Sequence, residues 1–520
     1  MSQNLTRKSI LKKTAQFGLI TFLSRVLGIV REVFIGRLLG VGAMADAFIA
    51  AYKIPQFLRR IFAEGALSAA FIPVFVRKVK KGDKDEANGL MSLSFLFFEG
   101  IVFILILLAI LFPRAVFAFT TPGFSEEQLT FAIPFLRILF PIIFFISSGA
   151  LFAGALNSVN HIIIPALGPV FMNIFFVGGL ALCYFMGFSM EFLCFMILLG
   201  GLFSFLMHIF AYVHYNFSFA KPNKSAYKAF KKVISKFLPS LLGVSIIEIN
   251  LFVDSILSSF LAVGNYSLLY YAGRYMNMPI GIFAVGFATV LLPQFSRYAI
   301  YAPKRLAFHI LESSKFVTWL ILPAMLFLMF ISEEIFSILM FKKITSYENI
   351  LTAKYLLIIY SAGLVFYCLN KVLVNVFYAM NDTKTPTIAL VVSTVVNFGV
   401  NIIGMIFFGV YGIAFSTAIS AIILTVLFFI FLHLRFKFKF YGARFLNFLI
   451  RYFVQLFFTS GIFLSLYYSA FYYLQTTDYY SLFKAGWGFW LLVFFAAGVS
   501  GLFMYNTRKL FGIKLYFLSK

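Results

Sequence analysis

Long apolar runs recur from one end of this chain to the other. Residues 88–112, 163–186, 191–216, 386–408 and 411–433 each hold more than twenty residues with at most one acid among them. About 20 such residues cross the hydrocarbon core of a bilayer as a helix. Inside lipid no water satisfies the backbone, so a spanning segment must be a helix or part of a closed barrel. Barrel strands are only about 9–11 residues long, and these runs are twice that. The expected fold is therefore all-α and polytopic. Hydropathy and breaks place about fourteen spans, at 15–39, 44–76, 88–112, 130–157, 163–186, 191–216, 233–262, 267–296, 306–331, 350–379, 386–408, 411–433, 445–474 and 485–506. Composition agrees: 62% of the 520 residues are hydrophobic and 12% charged, against about 25% charged in soluble domains. The first ten residues are polar and basic with no cleavage site after the first apolar run, so no signal peptide is expected.

The net charge of +25 would point to nucleic acid in a soluble protein. Here it follows membrane sidedness. With the N-terminus inside, 27 of the 43 Lys and Arg fall on the cytoplasmic side and only Arg114, Lys342, Lys343 and Lys484 on the other. That split obeys the positive-inside rule and puts both termini in the cytoplasm, with no nucleic-acid partner. Cys183, Cys194 and Cys368 lie in apolar segments with no CxxC pair, and the five His show no ligand spacing; these are packing residues. GVGAMA (40–45) fits a dinucleotide fingerprint, but that motif needs a strand before it and a βαβ unit in water. There is no Walker A sequence, so an ATPase-driven pump is excluded. A membrane-embedded glycosyltransferase would want an acidic pair and a sizeable polar loop, and no loop exceeds about twenty residues by the helix spacing of the spans.

The chain repeats itself. Val41-Gly42, Phe62-Ala63-Glu64-Gly65 and Ile72-Pro73 return in order as Val263-Gly264, Phe283-Ala284-Val285-Gly286 and Leu292-Pro293; Asn160 and Pro165 return as Asn381 and Pro386. Six spans separate equivalent points, and an even number preserves orientation, giving two parallel six-helix repeats. The expected domains are a first lobe at 1–217, a basic linker at 218–232 (KPNKSAYKAFKK within it), a second lobe at 233–440, and two further helices with a tail at 441–520. Parallel bundles of this kind commonly alternate access to a central cavity.

Charge is distributed unevenly between the repeats. The first two spans hold Arg25, Arg31, Glu32, Arg37, Asp46, Lys53, Arg59, Arg60 and Glu64, six cations against three acids; the matching region of the second half holds Arg274 and little else cationic. Some of these can be local pairs, Arg31 with Asp46 or Glu32 and Arg60 with Glu64 four residues on, and Arg37 can snorkel to an interface. The surplus cannot rest in hydrocarbon and must face a watery space. A cationic space suits an anion, and the planar guanidinium fork suits phosphate oxygens. Pro55 and Pro73 interrupt the second span and Gly28, Gly36, Gly40 and Gly42 loosen the first, which lets helices bend.

SRVLGIVRE (24–32), ADAFIAAYKIPQFLRRIFAEGALSAAFIP (45–73) and YYAGRYMNMP (270–279) resemble the MurJ (MviN-type) lipid II flippases, a branch of the MOP exporter superfamily. The resemblance runs from about residue 15 to 440. It implies a transporter rather than an enzyme, one that moves an undecaprenyl-diphosphate-linked peptidoglycan precursor across the bacterial inner membrane for cell-wall growth. It carries Arg25, Arg31, Asp46, Arg59 and Arg274 over as substrate-binding residues, with Lys53, Arg60 and Glu64 beside them. It implies no cofactor, apart from sodium, which some members bind in the second lobe; Asp254, Asn397, Asn401 and Thr417 are the counterparts here, with Asn401 in place of an acid. Expected partners are lipid II, membrane lipids and cell-wall synthesis proteins, on a monomer. An exporter of another lipid-linked oligosaccharide is the alternative. YYSAFYYLQ (467–475) would then be a groove for a lipid tail or an interfacial belt.

Overall fold

The computed structural model describes residues 7–60, 66–159, 161–340, 346–438, 441–476 and 487–518. All its regular structure is helical, and no strand occurs among the described residues. The helices, in chain order, are α1 (Arg7–Leu39), α2 (Ala43–Arg59), α3 (Ala66–Lys80), α4 (Lys84–Leu111), α5 (Pro113–Thr120), α6 (Glu126–Leu139), α7 (Ile142–Ser158), α8 (Ile163–Met186), α9 (Met190–His214) and α10 (Lys224–Ser259). They continue as α11 (Asn265–Pro279), α12 (Val285–Tyr301), α13 (Pro303–Phe330), the single turn α14 (Ser332–Glu334), α15 (Tyr347–Ala362), α16 (Leu364–Ala379), α17 (Lys384–Phe408), α18 (Val410–Phe436), α19 (Gly442–Gln475) and α20 (Trp487–Thr507).

Eleven described stretches are long and apolar enough to cross a membrane. Three further expected spans correspond to α1, to α2 with α3, and to α10; each carries more charge than the apolar spans. Several expected spans are broken. The span at 130–157 is α6 and α7, meeting around Phe140 and Pro141, and that at 350–379 is α15 and α16, meeting at Gly363. Between α11 and α12 lies a π-helical turn, Ile280–Ala284, directly after Pro279.

Caps set many of the ends. Ser125 and Gln128 form a capping box at the start of α6, each satisfying an N–H that the helix leaves without a partner. The Asn223 side chain accepts from Ala226 N at 2.8 Å and starts α10. Gly187 ends α8 in the left-handed region at φ 73°, where a side chain would be strained.

Packing divides the chain into two compact units, Met1–Ser267 and Leu268–Lys520. In the first, α8 pairs with α9 and α1, α2 with α6, and α10 with α3 and α4. The sequence puts the inter-lobe linker at 218–232 and begins the second lobe at 233. In the structure α10 starts at Lys224 and runs through that boundary, because Val233 and Phe237 enter the same apolar cluster as Phe75 and Phe98. In the second unit α17 and α18 form a tight hairpin, α12 and α13 pack on α16, and α19 joins α20 and α13. Trp319, Tyr452, Leu456 and Met504 make the core of that last group. The buried Gln455 ties it together: its Oε1 accepts from Trp319 Nε1 at 3.2 Å and its Nε2 donates to Met504 O at 2.7 Å.

Candidate functional site

The charged residues of the first two spans sit on α1 and α2, and most of their visible partners come from distant helices of the same unit. Arg31 lies half-buried on α1. Its Nη2 donates to Glu32 Oε1 at 2.7 Å and its Nη1 to Asn173 Oδ1 at 3.0 Å on α8, while its carbon face rests 5.2 Å from the Phe176 ring centre. Asn173 in turn donates to Ser24 O at 3.1 Å. Of the two pairings open to Arg31 in the sequence, the structure makes the one with Glu32.

Asp46 is 0% exposed, near the start of α2. Its Oδ2 accepts from Gly264 N at 2.6 Å and from Gln128 Nε2 at 2.9 Å, and its Oδ1 accepts from Ser267 N at 2.8 Å. The carboxylate thus caps the N-terminus of α11, where partial positive charge and unpaired N–H groups favour an anion. Ser267 is 221 residues from Asp46, the spacing of the sequence repeat. The repeated turns also meet: a side chain on Gly264, at φ 93°, would strike Val41 and approach Gly42. An acid expected to face substrate is here occupied with backbone.

Lys53 of α2 and Arg60, the residue that ends it, share one stripe. Lys53, Phe57 and Arg60 are spaced four and three residues apart, so they share a helix face. Opposite them on α10 stand Ser255, Phe252 and Glu248. Lys53 Nζ approaches Ser255 Oγ at 3.5 Å, the Phe57 and Phe252 rings lie 5.5 Å apart, and Arg60 Nη1 donates to Glu248 Oε2 at 2.9 Å and Oε1 at 3.0 Å. Position numbers rise on one helix as they fall on the other, which is an antiparallel ladder. Lys53 also sits 4.3 Å over the Tyr266 ring. Arg59 is half-buried on α2, and Arg25 is exposed on α1, about 21 Å along the axis from Leu39 at 1.5 Å per residue. Glu64, the partner expected for Arg60, lies outside the described residues.

Arg274 belongs to the second unit. It is half-buried on α11, with its guanidinium 4.7 Å over the Tyr270 ring, and Asn277 beside it donates to Gly273 O at 2.7 Å. Asn397, Asn401 and Thr417 are also in the second unit, on α17 and α18, whereas Asp254 is on α10 of the first. Asn401 Nδ2 donates to Asn397 Oδ1 at 2.8 Å, Ser416 Oγ donates to Asn401 Oδ1, and Thr417 Oγ1 donates to Ile413 O at 2.9 Å. These oxygens are engaged in a chain of neutral hydrogen bonds. No cluster of three His, Cys, Asp or Glu suited to a metal occurs among the described residues.

Two intramembrane acids have no place in the sequence expectations. Glu248 holds Arg60, and buried Glu99 on α4 accepts from Ser147 Oγ at 2.8 Å. For Glu99 the signal is a single acid inside an otherwise apolar run; Glu248 shares its span with Asp254.

The family model described as "Lipid II flippase MurJ" matches residues 35–479. The chain belongs to the MurJ family of lipid II flippases. It is 34% identical over 445 residues to the "Probable lipid II flippase MurJ" of Vibrio cholerae, covering 82% of this chain and 84% of that protein. The "Probable lipid II flippase MurJ" of Haemophilus influenzae is 32% identical over 424 residues, covering 77% and 82%. A solved lipid II flippase MurJ in an inward closed conformation superposes with a TM-score of 0.76 at 27% identity, covering 95% of this chain and 99% of that one. An inward-facing MATE multidrug transporter of the MOP superfamily gives 0.68 at 16% identity, covering 80% and 94%, a likeness of fold alone. MurJ proteins are transporters, so the glycosyltransferase reading is set aside. The MurJ match includes the whole α2–α3 segment and Arg274, and begins after Arg25, Arg31 and Glu32 of α1.

Proposed function

We propose that this chain carries lipid II from the cytoplasmic to the outer leaflet of the bacterial inner membrane by alternating access. The observation that carries the reading, beside family membership, is the charge balance of α1 and α2. Between Thr21 and Arg60, Arg25, Arg31, Arg37, Lys53, Arg59 and Arg60 stand against Glu32, Asp46 and, from α10, the Glu248 that pairs with Arg60, and Asp46 is turned to backbone N–H groups. A cation surplus at membrane depth is stable only beside water or an anion. The diphosphate of a polyprenyl-linked precursor is such an anion, and guanidinium groups bind its oxygens in pairs. The proposed contacts are Arg25, Arg31, Arg59 and Arg274, with Lys53 and Arg60 flanking. Neutralising the headgroup in a space of low dielectric favours closure around it, while the polyprenyl tail stays in lipid. The exposed aromatic and aliphatic face of α19, with Phe457, Phe458, Ile462 and Leu466 along an open surface depression, offers such a tail an apolar surface.

Both termini are placed in the cytoplasm by the distribution of Lys and Arg, and the working unit is a monomer, with cell-wall synthesis proteins as partners. Complementation tests the function: the wild-type chain restores growth to a strain depleted of its own lipid II flippase, and Arg25→Glu or Arg59→Glu abolishes rescue. Full rescue by both variants refutes the cationic site. A translocation assay with competing polyprenyl-diphosphate oligosaccharides separates lipid II from other lipid-linked cargo.

A further inference from the structure

We propose that Glu248 is a built-in substitute for the anionic headgroup: it holds Arg60 in the empty carrier, and an incoming diphosphate displaces it and so unties α10 from α2. The inference rests on the flippase reading above and adds a coupling residue to it.

The geometry is that of a lock between two helices. α10 packs closely on α3 and α4, but toward α2 it reaches through the long side chains of the ladder. Arg60 and Glu248 close one end of that ladder, Phe57 and Phe252 its middle, and Lys53 and Ser255 the other. The two partners differ in access. The Arg60 side chain is 38% exposed and that of Glu248 only 7%. A ligand can therefore reach the guanidinium without first passing the carboxylate.

Exchange of anions at Arg60 has a direct mechanical result. Nη1 of Arg60 lies within hydrogen-bond distance of both Glu248 oxygens, and a guanidinium binds phosphate oxygens through the same N–H donors. A diphosphate brings more negative charge and more oxygens than one carboxylate, so it competes well for the same fork. Loss of the Arg60 ion pair is costly for a carboxylate as buried as that of Glu248. That cost is relieved by moving to water, and Glu248 can do that only if this face of α10 leaves α2. Binding energy is thereby converted into helix release at one end of the ladder. Asp46 still clasps the turn that follows α10 at the other, so α10 pivots rather than detaches. Glu248 is a positioning residue in this scheme: it acts through Arg60 and α10, not on the cargo.

The test uses the full chain in detergent for binding and in vesicles for flipping. Lipid II affinity and flipping rate are measured for wild type, E248Q, R60Q, R60Q/E248Q and the charge swap R60E/E248R. E248Q removes the competitor, so lipid II binds about fivefold tighter, the upper range for a partly exposed ion pair, while flipping slows because binding no longer drives release. The tightening vanishes in R60Q/E248Q, which matches R60Q. The charge swap recovers wild-type thermal stability but not lipid II affinity. A purely structural Glu248 instead gives E248Q with lower stability and unchanged or weaker binding, and that result overturns the proposal, as does tightening that persists without Arg60. Inorganic pyrophosphate titrated against the same series reads the exchange at Arg60 independently of the cargo. Wild type that binds pyrophosphate with the predicted E248Q tightening, yet neither binds nor flips lipid II, rejects the cargo assignment and keeps the lock. Wild type that flips lipid II with E248Q unchanged in affinity rejects the lock and keeps the cargo.

Discussion

Replacing Asp46 by Ala removes the acceptor for three donors at once: Gly264 N, Ser267 N and Gln128 Nε2, at 2.6, 2.8 and 2.9 Å. The site is 0% exposed, so water does not replace the lost oxygens. Each buried backbone N–H left without a partner costs about 1–3 kcal/mol. Gln128 is less affected, since its Oε1 stays bonded to Ser125 N at 2.9 Å. Removing a buried carboxylate also recovers part of its desolvation cost. The net loss is about 4 kcal/mol for D46A and about half that for D46N, which keeps one oxygen but turns an NH2 toward a donor. In a unit of this size about 2 °C of Tm corresponds to each kcal/mol, so the melting point of the purified protein in detergent falls by about 8 °C in D46A. The effect is also non-additive: D46A/Q128A loses less than the sum of the two single losses, because the Asp46–Gln128 bond is counted in both, while the capping box at Ser125 is lost only with Gln128. A D46A protein melting within about 2 °C of wild type refutes the capping role. Additive losses in the double variant refute the three-donor arrangement.

Asp382, in the connection between α16 and α17, gives a pH dependence. Burial alone would raise its carboxyl, but the Thr385 hydroxyl at 2.6 Å, the Thr385 N–H at 3.1 Å and the Arg435 guanidinium at 3.2 Å outweigh that and hold it below the usual carboxylate range. A depressed carboxyl stabilises the fold above its unfolded value, near pH 4, and loses that contribution as pH falls through the folded value. The Tm advantage of wild type over D382N is therefore constant from about pH 5 to 8 and shrinks progressively as pH falls below about 4; a gap that does not shrink as pH falls below about 4 contradicts the assignment. At the α17–α18 crossing a side chain on Gly412 would run into the Gly404 backbone, which cannot give way without parting the helices. G412A is expected to cost more than about 3 kcal/mol and to lower folded yield sharply, and a yield equal to wild type argues against that close approach.

The fold was legible because bilayer solvation leaves few choices: a long apolar run must be a helix, and each expected span has a helix to answer it. Breaks were less legible. Gly363 and the Phe140–Pro141 step interrupt spans that are continuous in hydropathy, and the partners that steady them are far away in sequence. Of the expected site, residue types and helices were readable from local motifs, but pairings were not. Arg60 bonds Glu248, 188 residues away, a partner that no local motif points to. Asp46 looks like a counter-ion to arginine, yet the start of α11 comes within its reach and supplies two N–H donors. Neither contact leaves a mark in a single sequence, because each depends on which helices the fold brings side by side. Glu32 is the exception: it adjoins Arg31 in the chain, and there the local reading was sufficient.

The π-turn at Ile280–Ala284 has a consequence for length changes in this region. A helix advances 100° per residue, so deleting one residue between Ser267 and Arg274 would swing Arg274 by more than a quarter turn around its axis. A π-turn carries one residue more than the α-helical path needs. Trimming a residue from 280–284 would restore ordinary helical winding and leave Arg274 and everything before it where they are. Single-residue gaps that survive in this helix should therefore fall within those five positions.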